Sequence, residues 1–261
     1  MSASGQFRLL RILILLLILL AVAASSLLTW LRTTDWDRPL VVAIYPINAD
    51  GSAASENYIA RLDRETFADI EEFFAEEAEH YRLALNKPFE VVLGPVLSEK
   101  PPQPPAERSV PGNVVWSLKI RYWAWRVARK YGPPADIQIF VLYHDPTVHP
   151  RLGHSLGLQK GLLGMVNAFA SRRATGGNNL VITHELLHTV GARDKYDPAT
   201  NLPVFPLGYA EPDRQPLLPQ ELAEIMAGRI PTAPGKAVQA RSLAQALIGQ
   251  QTAREIYWVE D

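Results

Sequence analysis

In this 261-residue chain, the residues best suited to chemistry sit in Leu180-Val181-Ile182-Thr183-His184-Glu185-Leu186-Leu187-His188-Thr189-Val190. As a helix, this stretch projects His184 and His188 from one face, because they are four residues apart, and Ile182 and Leu186 from the opposite one. Glu185 falls about 100° round from His184, beside the histidine face. Two neutral imidazoles so placed bind zinc, and a flanking carboxylate can act on a water held there. Catalytic zinc needs a third protein ligand and keeps one position open. Gly191 is suited to a left-handed helix stop, after which the chain can turn, and Asp194 follows three residues later. Asp197, in the run Asp194-Lys195-Tyr196-Asp197, is a second candidate. A glutamate from a later helix (Glu211, Glu221 or Glu224) is a third arrangement, one that has no need of the turn at Gly191. An ordinary surface helix bearing two histidines is the competing interpretation. Agreement between an N-cap at Asn178 or Asn179, the histidine spacing and the one-sided apolar face disfavours it.

The string His184-Glu185-x-x-His188-x-x-Gly191-x-x-Asp194 resembles the metzincin clan of zinc metallopeptidases, in particular its snapalysin-like members with Asp as third ligand. The direct match covers residues 184–194. The resemblance implies a Zn2+-dependent endopeptidase with His184, His188 and Asp194 as ligands, Glu185 as general base and a peptide or protein as substrate. It also implies a mixed sheet ahead of the active-site helix, a smaller C-terminal subdomain and a methionine turn beneath the metal. Glu224-Ile225-Met226-Ala227-Gly228 offers Met226 for that turn, the one methionine after the helix. The sequence departs from the clan where Glu224 stands in place of a common serine, and in the long proline-rich segment 195–223. By the same resemblance an edge strand near 152–160 pairs with an extended substrate, and Tyr196 or Tyr209 is a candidate donor to the oxyanion. Two rival functions are a zinc amidase acting on a cell-wall amide and a non-catalytic, membrane-tethered zinc scaffold. Glu185 argues against the scaffold, since a structural site does not need it.

The elements that must position these residues alternate in type. Leu40–Ile44 reads as a buried strand and residues 55–85 as a helix, with Glu71, Glu72, Glu76, Glu77 and Glu79 on its solvated faces. Phe89–Leu93 is a second strand. The prolines between 95 and 111 make an extended surface connector. Residues 113–131 return to helical spacing through Trp116, Ile120, Trp123, Val127 and Tyr131, read as core aromatics with a basic outer face. Asp136–Tyr143, Ser155–Lys160 and Leu162–Ala170 are strands, the last two a hairpin bending near Gly161. A C-terminal helix is expected over about 236–248. This order predicts an α/β (α+β) fold in three layers around a mixed sheet. The catalytic domain spans 40–261, with an upper part about 40–191 and a lower part about 192–261. His80 is expected to be exposed, and His144, His149 and His154 fall in a loop without recognised ligand spacing.

Composition narrows the classes further. The absence of cysteine excludes disulfide scaffolds, thiolate-bound metals and a cysteine nucleophile. With 26 Lys+Arg against 27 Asp+Glu, the chain lacks the basic excess of a nucleic-acid binder. The 48% hydrophobic content is inflated by residues 12–31, an uncharged run long enough for a bilayer core of roughly 30 Å. Arg8 and Arg11 precede it, so residues 1–11 form a short cytoplasmic tail and 32–39 a polar linker to an extracytoplasmic domain. Ala21-Val22-Ala23 provides an alternative signal-peptide cleavage site, which would make the domain secreted. The apolar run continues past that site, which favours an uncleaved anchor.

Overall fold

Strand β1 (Leu40–Asn48) shows how the sheet divides the core. Its residues Val42 and Ile44 enter one buried cluster, and Ala43, Tyr45 and Ile47 enter another, as side chains alternating across a pleated strand must. The computed structural model describes residues 3–103, 105, 109–159 and 162–259. Beside β1 lie β2 (Phe89–Leu93), β3 (Ile137–His144), β4 (Leu156–Leu158) and β5 (Leu163–Phe169), in the spatial order β2-β1-β3-β5-β4. All neighbours are parallel except β4, which runs antiparallel to β5 and forms an edge. The sheet is therefore mixed, and the three-layer α/β expectation describes it.

Helix α4 (Val110–Tyr131) covers one face of the sheet through Ile120, Trp123, Ala124 and Val127. The other face carries α2 (Ala53–Ile59), α3 (Ala68–His80) and α5 (Thr175–Thr189). Its core takes Ile70 and Phe74 from α3, and Leu180, Ile182, Leu186 and Leu187 from α5. Residues after α5 add Met226, Leu243, Ile248, Ile256 and Trp258 to the same cluster.

Several sequence expectations are corrected. The expected helix 55–85 is two helices, because Asp63 accepts from the Thr66 amide at 2.9 Å and starts a new turn at that point. Glu71 and Glu77 do not face solvent: they accept from the Val91 and Ile248 amides. Tyr122 and Trp125 of α4 lie on its exposed face, so that face is not simply basic, and Tyr131 is half exposed. The region 236–248 is not a helix. Instead β7 (Arg229–Ala233) and β8 (Lys236–Gln239) form a hairpin whose Pro234-Gly235 turn has Gly235 at φ +69°. A proline–glycine pair favours such a turn over helix. Around it lie β6 (Ala223–Glu224), β9 (Ala246–Leu247) and α6 (Gln250–Glu255). Lys160, Gly161 and Pro104 lie outside the described residues.

Helix α1 (Ala3–Thr34) includes a stretch, Leu9–Thr34, long and apolar enough to cross a membrane. Its end is tied to the domain, as Arg32 pairs with both carboxylate oxygens of Asp136 at 2.9 and 2.6 Å. The segment 32–39 is not a free polar linker. Trp36 is buried against Phe89 and Trp258 and donates from Nε1 to the Ile256 carbonyl at 2.8 Å.

Candidate metal centre

Helix α5 starts four residues earlier than a cap at Asn178 allows, running directly out of a 3-10 turn at Arg172–Ala174. Neither asparagine is an N-cap. Asn178 bonds both the amide and the carbonyl of Phe169, and Asn179 donates to the Thr66 carbonyl and to Asp69. Both are buried and lock the helix to β5 and to α3. Ile182 and Leu186, fully buried on the far side, complete its foundation. At the other end the Ala192 amide donates to Leu187 O and the Gly191 amide to His188 O. Gly191 takes φ +117°, the left-handed stop its position implies.

This frame brings His184, His188 and Asp194 together, with one ligand atom from each within 4.8 Å of the others. Both Nε2 atoms lie 3.1 Å from the same oxygen, Oδ1 of Asp194. The outer nitrogens are held: His184 Nδ1 donates to Ile225 O at 3.0 Å and His188 Nδ1 to Ala192 O at 2.8 Å. Those carbonyls fix the tautomer, so each neutral imidazole turns a lone pair toward a carboxylate oxygen. Lone pairs facing a carboxylate need positive charge between them. Two imidazolium protons would supply it only by placing like charges on rings whose centroids are 4.8 Å apart. One divalent ion supplies it without that repulsion. The spacing also fits, since ligand atoms about 2.0–2.1 Å from a tetrahedral ion are roughly 3.3 Å apart. This donor set of two imidazoles and a carboxylate suits zinc.

Charge at the site follows from this convergence. Burial works to raise the Asp194 carboxyl, but the two imidazoles packed against it outweigh burial and hold the group well below the usual carboxylate range. For His184, burial works to lower the imidazole, and Asp194, Glu185 and the Ile225 carbonyl together raise it. Glu185 is only 6% exposed. Burial lifts its carboxyl above the ordinary value, while His184, His188 and the Gly157 amide act in the opposite direction.

Gly157, in edge strand β4, explains the close packing here: a Cβ on it would meet the Glu185 carbonyl and lie 2.6 Å from His188 Cβ. The fully buried Met226 sits in a turn between β6 and β7 whose Gly228 takes φ +66°. The Ile225 carbonyl of this turn holds His184, and the Met226 carbonyl accepts from the Lys195 amide at 3.0 Å. The turn thus braces the helix and the strand of chain next to Asp194 at once. Tyr196 lies beside the cluster, its ring 6.5 Å from that of His184.

The other candidates are engaged elsewhere. Asp197 accepts from the Ala199 and Thr200 amides in a local turn. Glu211 and Glu221 pair with Arg214. Glu224 is fully buried and accepts from Thr252 Oγ1 at 2.5 Å and from the Ala227 amide at 3.0 Å. It holds the methionine turn from within. Tyr209 bridges to Ala223 and packs on Phe205. His80 is exposed as expected and the loop residue His154 is exposed too, but His144 and His149 are half-buried and approach Asp50. Two clefts elsewhere, of about 350 and 890 Å³, include none of the histidines of the α5 cluster. The ligand cluster lies along the open edge of the sheet. No protein-family model matches the chain, and no curated protein matches it.

Proposed function

We propose that the chain is a zinc-dependent metalloendopeptidase held to a membrane by α1. The observation that supports this most is the pair of imidazoles whose Nδ1 atoms are held by carbonyls while both Nε2 atoms meet Asp194, with Glu185 on the adjoining face. His184, His188 and Asp194 would hold the zinc ion. When bound, it supplies Lewis-acid polarisation of the scissile carbonyl and activation of the attacking water. Glu185 takes the proton of that water as general base and delivers it to the leaving amine. Tyr196 is placed beside His184 to donate to the developing oxyanion. The free edge of β4, packed against Glu185 and His188 through Gly157, orients an extended peptide by adding it to the sheet. A mixed sheet ahead of the helix and a buried Met226 turn under His184 agree with the metzincin resemblance.

Arg8 and Arg11 ahead of the apolar stretch would retain the amino terminus in the cytoplasm, which puts the catalytic domain on the extracytoplasmic side. The test is to incubate the full-length, detergent-purified chain with zinc and a peptide library. Internal cleavage that a chelator abolishes and zinc restores is the expected result. Intact peptides alongside cleaved cell-wall material would replace the proposal with an amidase, and no cleavage of either would replace it with a scaffold.

A further inference from the structure

The parallel pairing of β1 with β3 sets Asn48 opposite Tyr143, and the ladder continues as the Ala49 amide donates to Tyr143 O at 3.0 Å. Asp50, two residues beyond the end of β1, and His144, the last residue of β3, are therefore brought to the same end of the sheet. Beyond β3 the chain folds back, as the His149 amide donates to Asp145 O at 2.8 Å. One nitrogen of each imidazole and one oxygen of Asp50 lie within 4.8 Å of one another. The Asp50 side chain is 6% exposed and is fixed by the Asp145 amide at 2.6 Å and the Ser52 amide at 2.9 Å. His149 Nε2, 4.0 Å from Asp50 Oδ2, is too far for a direct hydrogen bond.

The tautomer of His144 follows from its neighbour. Asn167 on β5 donates through Nδ2 to the His154 carbonyl at 3.0 Å, which points Oδ1 at His144 Nε2, also 3.0 Å away. Oδ1 accepts, so Nε2 carries the hydrogen and Nδ1 of the neutral ring is a bare lone pair. That Nδ1 is buried without a hydrogen-bond partner among the described residues. A buried imidazole nitrogen left in this state beside a second imidazole and a fixed carboxylate calls for a cation. The two rings stand edge to face, 5.2 Å apart.

We propose that Asp50, His144 and His149 form a second site, for a divalent transition metal that prefers nitrogen ligands, of which zinc is the first choice. Imidazoles select this class over calcium or magnesium, which take oxygen ligands. The site clamps the loop after β3 to the end of β1 and so steadies the approach to edge strand β4. The carboxylate that follows His144, Asp145, is taken up by the Thr147 amide and hydroxyl at 2.8 and 2.7 Å, and the role of the site is structural.

The experiment counts zinc by mass spectrometry on the full-length chain in detergent after dialysis against zinc. The wild type is expected to hold about two ions per chain, and His149→Ala about one. Pairing His184→Ala with His188→Ala should also leave about one, and combining all three changes none. Cobalt in place of zinc gives a second readout: in the His184→Ala/His188→Ala background a visible band from nitrogen ligation remains, and adding His149→Ala removes it. His149 is partly exposed, so its replacement spares the core, and His144→Ala checks the buried ligand independently. An unchanged zinc count in both His149→Ala and His144→Ala overturns the second site and leaves the peptidase reading untouched. A wild-type count of one that only the His149 and His144 changes abolish upholds this site and sinks the α5 one.

Discussion

His184 and His188 meet because four residues of α-helix place them on one face, whereas Asp50 and His144 meet because two strands about 95 residues apart run in parallel register. Both clusters combine two imidazoles with one aspartate, and in both an imidazole nitrogen is held by a carbonyl-type oxygen while the other is turned inward. They differ in what surrounds them. The helix cluster has Glu185 beside it and the free edge of β4 against it. At the sheet-end cluster the neighbouring carboxylate, Asp145, is occupied by Thr147. On the proposed reading, equal donor sets serve different ends, and the carboxylate of Glu185 and the open edge distinguish the catalytic one.

The comparison breaks most visibly with His188→Ala. Losing a direct ligand should weaken zinc at the α5 cluster by more than about 100-fold, beyond the usual cost of losing a supporting partner, and remove turnover. Zinc titration with a competing chelator measures it. Next in size, Leu186→Ala withdraws a fully buried anchor of the same helix and should cost about 2–5 kcal/mol in denaturant unfolding. Stability within error of wild type would mean that the helix is not held by its apolar face.

The sheet-end cluster is sharpened by Asn167→Ala. Removing the oxygen that orients His144 should weaken zinc there by about 10–100-fold and change peptide turnover by less than about twofold. A matching loss of turnover would erase the division of labour between the clusters. The smallest effect belongs to Asp197→Asn, which retains an acceptor for the Thr200 turn. It should shift stability by less than about 0.5 kcal/mol and leave zinc content unchanged, whereas a loss of zinc would move the third ligand from Asp194.

The same contrast explains what the amino-acid sequence reveals. His184, Glu185, His188 and Asp194 lie within eleven residues, and helical periodicity plus a glycine stop convert their spacing directly into a common face. The strands up to β5 follow from short apolar runs and appear close to where they are expected. His144 and His149 carry no such signal, because their partner Asp50 is set by strand register, which no local pattern encodes. The burial of Glu71 and Glu77 was hidden for a related reason: each is satisfied by an amide from a distant segment. The Pro234-Gly235 turn was legible and outweighed the apolar spacing that suggested a helix. Asn178 and Asn179 show the limit of cap preferences, since the same amides that suit a helix start are used here to lock the helix to its neighbours.

Glu185→Gln decides whether the α5 cluster is catalytic. Zinc content and peptide cleavage are measured side by side on the wild-type chain and this variant, both full-length in detergent. Unchanged zinc with turnover reduced by roughly 10²–10⁴-fold, the contribution of a general base, is the expected result. Cleavage at the wild-type rate by the zinc-loaded variant would contradict it.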